Sequence, residues 1–248
     1  MNKKINEEIP HIIHYCWFGG KSKSKFILNC IDTWKKNLPD YQIIEWNEEN
    51  FPIHSHNYVR EAYEHNKFAF VSDVVRLYAL NKHGGIYFDT DIEVKKSIDP
   101  YLKSSDVMMA FESKQVIMTG FFAAKKENAF IKKWLKSYDF IRFLNEDGSI
   151  NVTPNTFRVS EMLKDAGLLL NGERQSLEGG IDVFPKETFG AYDVDNSAYV
   201  ITSDTVLVHH CKASWMPLKY KIKDYGKRML AKIIGAKNYN ELRMKIKK

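Results

Sequence analysis

The sequence predicts an α/β fold with a Rossmann-like start: a mixed, mostly parallel central sheet flanked by helices. Three observations carry that prediction. Ile9 to Phe18, Phe26 to Lys36 and Tyr41 to Trp46 read as strand, helix and strand, a unit whose crossover is expected to be parallel and right-handed. Phe70 to Val94, FVSDVVRLYALNKHGGIYFDTDIEV, reads as a helix, a glycine stop and a strand that ends in paired acids. Further apolar runs at Val107 to Phe111, Ile117 to Ala124, Ile181 to Phe184 and Thr205 to His209 supply strands for the rest of the sheet.

A chain of 248 residues suits one domain with a small appendage, divided here as residues 1–217 and 218–248. Apolar residues at 44% and charged ones at 27% are the fractions of a soluble globular protein, which excludes disorder. The net charge of +6 raises the question of nucleic acid, but its distribution answers it. From Lys219 to Lys248 eleven Lys or Arg stand against Asp224 and Glu241, a charge of +9, so residues 1–218 carry −3. The basicity belongs to the tail, and a nucleic-acid-binding face is not expected. Cys16, Cys30 and Cys211 are an odd number with no CxxC pair, so neither a disulfide framework nor a zinc site is indicated and a reducing compartment fits. The first residues, MNKKINEEIPHIIHY, hold no apolar run of signal-peptide length. No stretch approaches the roughly 20 apolar residues of a membrane span. The expected location is the cytoplasm, with contact to the inner membrane face only through the tail.

Taken in order, Ile9 to Phe18 is rich in Ile, Tyr, Trp and Phe and stops at Gly19-Gly20, where a loop leaves the strand's carboxyl end. Ligands of open α/β sheets sit beyond such ends, which places Trp17 to stack on a flat ring or, equally, in the core. His11 and His14, flanked by isoleucines, read as structural. Phe26, Cys30, Ile31 and Trp34 share one face of the first helix, and Pro39 blocks its continuation. No Gly-x-Gly-x-x-Gly follows the first strand, so a dinucleotide has no support. His54 to His65 reads as a short helix with surface histidines. Phe70, Val74, Leu77 and Tyr78 then make an apolar helical stripe, with Asp73 and Arg76 on another face. Gly84 and Gly85 end that helix, because glycine takes the left-handed stop conformation without cost. After them Ile86, Phe88, Ile92 and Val94 alternate with Tyr87, Asp89, Asp91 and Glu93, so that Asp89 and Asp91 point the same way along one strand. Glu112 to Gln115 reads as a polar turn, Asn128 to Phe143 as an amphipathic helix and Thr156 to Leu169 as another.

Two carboxylates two residues apart at a strand end offer hard oxygen ligands to one divalent cation and leave room for phosphates. Taken alone, they equally suit the solvated face of an edge strand. The whole run, however, resembles the signature of glycosyltransferase family 32, which contains the yeast-type initiating mannosyltransferases and many bacterial capsule and lipopolysaccharide enzymes. In that pattern Ser-Asp-x-x-Arg leads to Gly-Gly-x-Tyr-x-Asp-x-Asp, matched by Ser72, Asp73, Arg76, Gly84, Gly85, Tyr87, Asp89 and Asp91. The opening IPHIIHYCWFGG and the closing HHCKASW are similar to the first and last donor-site segments of the family, and the clostridial glucosylating toxins carry a related pattern.

The resemblance implies a GT-A type fold and transfer of a hexose, with retention, from a nucleotide sugar such as a UDP-hexose. It implies Mn²⁺ or Mg²⁺ on Asp89, Asp91 and His210, His210 being favoured over His209. It further implies catalytic roles for Asp89, Asp91 and Arg76, and donor contacts from Trp17, Asp73, Arg76, Tyr87, Asp89, Ser214 and Trp215. Trp215 would close over the diphosphate and donate its indole N–H to it. Val152-Thr153-Pro154-Asn155 stands where family members often carry Thr-Gly-Pro; the glycine is missing, so no contact is carried onto it. The expected acceptor is a saccharide, free or lipid-linked, in cell-surface polysaccharide assembly, with a toxin-like protein acceptor as the rival. The tail, with Tyr220, Ile222, Tyr225, Met229, Ile233, Ile234, Leu242 and Ile246 among lysines, reads either as a basic amphipathic helix lying on anionic lipid or as one packed on the catalytic domain.

Overall fold

The computed structural model describes residues 8–103, 105–193 and 198–212, together with positions 226, 229, 233 and 235. Its opening unit forms as the apolar pattern dictates: β1 (Ile12–Cys16), α1 (Lys25–Asn37) and β2 (Gln42–Trp46), the two strands parallel. Ser24 caps α1 by accepting from the Ile27 amide, and Cys30, Ile31 and Trp34 are its buried face. A 3₁₀ turn (Ile53–Ser55) and α2 (Asn57–Glu64) lead to α3 (Phe68–His83). Helix α3 is buried more widely than one stripe requires: Val71, Val74, Val75, Leu77, Ala79 and Leu80 are all within 2% of full burial, because it lies between the sheet and helices α2 and α5 (Ala129–Ser137).

Gly84, at φ 67°, caps α3 through its amide on the Leu80 carbonyl, and Gly85 opens β3 (Gly85–Phe88) at φ 101°. A side chain at position 85 would stand 2.5 Å from the Ile12 carbonyl oxygen, so β1 and β3 pair this closely only with glycine there. The strand expected to run from Ile86 to Val94 is broken. It stops at Phe88, turns through Asp89 to Asp91, and resumes as β4 (Ile92–Val94), which leaves the main sheet.

The chain continues through α4 (Asp99–Leu102), β5 (Val107–Ser113), β6 (Val116–Ile117) and β7 (Phe121–Ala124). The single strand expected over Ile117 to Ala124 is thus two, one on β5 and one between β5 and β3. Helix α5 ends at Ser137, short of Phe143. Then come α6 (Asn155–Asp165), β8 (Gln175–Leu177), β9 (Ile181–Phe184), α7 (Lys186–Phe189), the hairpin β10 (Tyr192–Asp193) and β11 (Ala198–Tyr199), and β12 (Leu207–His209).

The main sheet runs β2, β1, β3, β7, β5, β9, β8, with β6 on β5. The parallel and antiparallel pairings give β1, β2, β3, β5 and β9 one direction, and β6, β7 and β8 the other. It is the mixed, mostly parallel sheet of the GT-A expectation. Helices α2, α3 and α5 cover an apolar cluster on one side; on the other, Trp34, Ile92, Met108, Phe121 and Leu207 pack together. β4 and β12 pair antiparallel as a separate ribbon on that second side, with Ile92 opposite His209. Among the described residues no helix is long and apolar enough to cross a membrane. The helical segment expected over 218–248 lies outside the described residues except at four positions.

Candidate functional site

The acid pair is built by the break after β3. Asp89 extends the ladder by one bond, its amide donating to the Gly120 carbonyl at 2.7 Å. The Ile92 amide then donates back to the Asp89 carbonyl at 3.0 Å, closing a four-residue turn with aspartate at its first position, where that residue is favoured. The turn aims both carboxylates at β12. His209 Nε2 stands 3.3 Å from Asp91 Oδ1 and 4.0 Å from Asp89 Oδ2. Convergence comes from a turn and a second ribbon, and strand alternation plays no part in it.

Behind the pair lies a buried basic group. Arg76, 4% exposed, donates from Nε to the Ser72 carbonyl (3.0 Å), from Nη1 to the Thr119 carbonyl (2.5 Å) and from Nη2 to the Ser72 hydroxyl (3.0 Å). Its Nη2 also lies 3.4 Å from both Asp73 Oδ1 and Asp89 Oδ1, and the guanidinium covers the Tyr87 ring at 4.5 Å. Tyr87 is buried, and its hydroxyl donates to Asp89 Oδ1 at 2.9 Å, so it orients the acid and does not form an open pocket wall. Asp73 accepts from the Asn155 amide at 3.2 Å; burial, opposed by Arg76 and aided by Asp89, raises its pKa to about 6. Burial works the other way on Asp91, but His209 beside it and the Lys212 amide at 2.7 Å hold its pKa at about 2. Burial lowers the His209 pKa, yet Cys211 and Asp91 outweigh it and raise the value well above normal.

Asp89, Asp91 and His209 offer three ligand atoms within 4.8 Å of one another. Two hard oxygens and an imidazole nitrogen suit Mn²⁺ or Mg²⁺, whose ligands at about 2.1 Å are themselves roughly 3–4 Å apart. The ring is also oriented from behind, since His209 Nδ1 lies 3.5 Å from the Cys211 sulfur. His210, expected as the ligand, points elsewhere: its Nε2 meets Glu93 at 3.2 Å, its Nδ1 meets the Tyr199 hydroxyl at 2.7 Å, and its ring packs edge-on against Phe26. The reason is the ribbon pairing, which sets His209 opposite Ile92 and beside the turn, while the His210 amide is tied to the Asp91 carbonyl at 3.1 Å.

Trp17 is half-buried at the carboxyl end of β1, its indole N–H donating to the Lys21 carbonyl at 2.6 Å and Lys23 lying 5.3 Å over its ring. Because β1 and β3 are parallel neighbours, the Trp17 loop and the acid turn leave the same sheet edge. Ser214 and Trp215 lie outside the described residues. Three positions that the geometry brings to the acids are not among the expected site residues: His209, which is ranked behind His210; Asn155, onto which no contact is carried; and Gly120. Asn155 is buried and bridges Tyr138 to Asp73, and a side chain on Gly120 would meet His209 Cε1 at 2.7 Å and Asp89 Oδ2 at 3.0 Å. No local periodicity marks Asn155 or Gly120.

Parts of the chain are similar to known proteins. Residues 25–108 match the family described as glycosyltransferase sugar-binding region containing DXD motif. Inositol phosphoceramide mannosyltransferase 3 of Schizosaccharomyces pombe is 32% identical over 101 residues, 38% of this chain and 27% of that protein. Inositol phosphoceramide mannosyltransferase 1 of the same yeast is 28% identical over 134 residues, 50% of this chain and 41% of that protein. The chain therefore spans well under half the length of these two relatives. The solved structure of the PaToxG glycosyltransferase is similar with a TM-score of 0.44 at 24% identity, over 52% of this chain and 59% of its own. Residues 25–108, which carry Asp73, Arg76, Asp89 and Asp91, are thus similar to the DXD-containing sugar-binding region of glycosyltransferases.

Proposed function

We propose that the chain is a metal-dependent retaining hexosyltransferase, moving a hexose from a nucleotide sugar to a saccharide acceptor during assembly of a cell-surface polysaccharide. The convergence of His209 on Asp89 and Asp91, with Arg76 against Asp89 and both acids inside the segment that matches the sugar-binding region, carries this reading. The donor set suits Mn²⁺ or Mg²⁺, which when bound would offset the charge that develops on a leaving diphosphate. The chain's own residues do the rest. Tyr87 and Arg76 fix Asp89, Cys211 and the acids fix His209, and Asp73, held by Arg76 and Asn155, would accept hydrogen bonds from hydroxyl groups of the donor. In the reaction the bond from the anomeric carbon to the phosphate oxygen breaks, the acceptor oxygen bonds to that carbon, and the acceptor's proton passes to the leaving phosphate.

A UDP-hexose is the donor favoured by the resemblance of residues 70–94, and the tail at 219–248 suits contact with an anionic membrane carrying a lipid-linked acceptor. The names of the two yeast relatives point to mannose and a lipid acceptor, a second version of the same reaction. A thermal-shift panel of UDP- and GDP-hexoses with and without Mn²⁺ tests both. A ligand at 100 times its Kd stabilises the folded state by about 2.7 kcal/mol, so the correct donor raises Tm, and only with metal. No shift with either base in millimolar Mn²⁺ overturns the proposal.

A further inference from the structure

Glu112 falls in what the sequence presents as a polar turn, yet it belongs to β5, the strand that reaches the site from the far side of β7. Strands β3 and β5 run in the same direction, each antiparallel to β7. The register makes Ile86 and Met108 level, both paired with Ala123. Continuing it, Asp89 amide to Gly120 carbonyl on one side and Met118 amide to Ala110 carbonyl on the other, brings the end of β5 to the sheet edge where the acid turn leaves. Glu112 stands two residues past Ala110, which packs with Met108, Ile92 and Leu207 on the face that carries the ribbon and His209, at the irregularity between Phe111 and Ser113 where the register of β5 on β6 shifts. The side chain is half-buried and, among the described residues, takes no hydrogen bond and no ion pair. Burial raises its pKa, His209 opposes, and Asp89 and Asp91 add to the rise, as expected of a carboxyl group near those three side chains.

Such a group has a defined chemical preference. An ionised carboxylate only accepts hydrogen bonds, a diphosphate offers no donors and repels it, and the three ligand atoms of the metal site do not include it. What it can recognise at this place is a neutral polyol. We propose that Glu112 accepts a hydrogen bond from a hydroxyl group of a hexose bound at the acid pair, making it a sugar-recognition residue of the cleft. The inference rests on the transferase reading above and names a residue for the sugar it requires.

The test compares Glu112→Ala and Glu112→Gln with the unchanged protein in Mn²⁺, using the nucleoside diphosphate that binds and its hexose ester. A lost hydrogen bond to a charged acceptor corresponds to about a 10- to 100-fold effect. In Glu112→Ala the affinity for the hexose ester is expected to fall by that factor while affinity for the bare diphosphate holds, with Glu112→Gln recovering part of the loss through its amide oxygen. If ester affinity holds but diphosphate release in the presence of methyl hexosides falls by that factor, the recognised hydroxyl belongs to the acceptor, and the proposal also stands. It is overturned if the bare diphosphate weakens equally, or if neither affinity nor release changes. Failure of the transferase reading looks different: the unchanged protein itself would bind no diphosphate with Mn²⁺.

Discussion

His14 and His209 are both buried, at 0% and 9% exposure, both belong to strands, and they have opposite chemistry. His14 Nε2 donates to the Gly84 carbonyl at 2.9 Å and its Nδ1 accepts from the Trp46 indole at 3.1 Å. Both ring nitrogens are satisfied by neutral groups, so burial lowers the pKa to about 4, with the Gly84 bond opposing and His83 adding to the fall. His209 meets two carboxylates within 4.0 Å, and its pKa is raised despite burial. Burial therefore does not distinguish a structural histidine from a candidate metal ligand. The distinction is whether the neighbours complete the imidazole or leave charge for a ligand to complete, and only the second arrangement gains by taking up a cation.

The comparison breaks most visibly on the His209 side. Removing Asp91 takes away one ligand and the group closest to His209 Nε2, while the turn keeps its backbone bond from Ile92 to Asp89. Asp91→Ala is expected to lower sugar transfer by about 10³-fold, the scale of losing a group that stabilises developing charge, with Tm close to that of the unchanged protein. Substantial remaining release of nucleoside diphosphate from the donor would mean that the acid pair is not the reacting centre.

A smaller effect of opposite sign at the two histidines comes from pH. Unfolded His14 takes its proton at about 6.5, folded His14 at about 4, so in that interval the unfolded state binds more protons. Stability is full above pH 6.5 and falls as pH drops toward 4, by about 3 kcal/mol from this residue. Folded His209 without metal holds its proton above 6.5, so its contribution is full below 6.5 and fades as pH rises through the raised pKa. A metal must displace that proton, so Mn²⁺ affinity should rise with pH. Urea unfolding from pH 4 to 8, with and without Mn²⁺, reads both; a stability flat from 6.5 to 4 in His14→Ala and falling in the unchanged protein isolates the first.

These two histidines also mark how much the sequence made legible. The strand, helix and strand of the opening unit, the glycine stop and the acid pair were all readable, because period and turn chemistry are local properties of the chain. His14 reads as structural from its isoleucine neighbours, and its bonds to Gly84 and Trp46 agree. Between His209 and His210 the sequence favours His210 without deciding, since the choice depends on which residue of β12 faces β4, a pairing between segments more than a hundred residues apart. The break at Asp89 was hidden for the same reason. Alternation runs unbroken through Val94, and only the departure of β4 toward β12 shows that one strand is two.

Gly120 gives the smallest and sharpest separation of the two histidines. It sits between β6 and β7 with no positive φ, so an L side chain meets no backbone penalty there; the conflict is with the site, where a Cβ would lie 2.7 Å from His209 Cε1 and 3.0 Å from Asp89 Oδ2. Those groups must move by a few tenths of an ångström or more, away from the positions in which they face each other. Nothing near His14 changes. Gly120→Ala is therefore expected to weaken Mn²⁺-dependent donor binding by about 10-fold, the lower end of the losses seen when the groups that orient metal ligands are disturbed, while leaving the stability lost between pH 6.5 and 4 as it was. A titration of the donor against Mn²⁺ at fixed pH measures the first, and equal loss of metal-free stability would show that Gly120 serves the sheet and not the cleft.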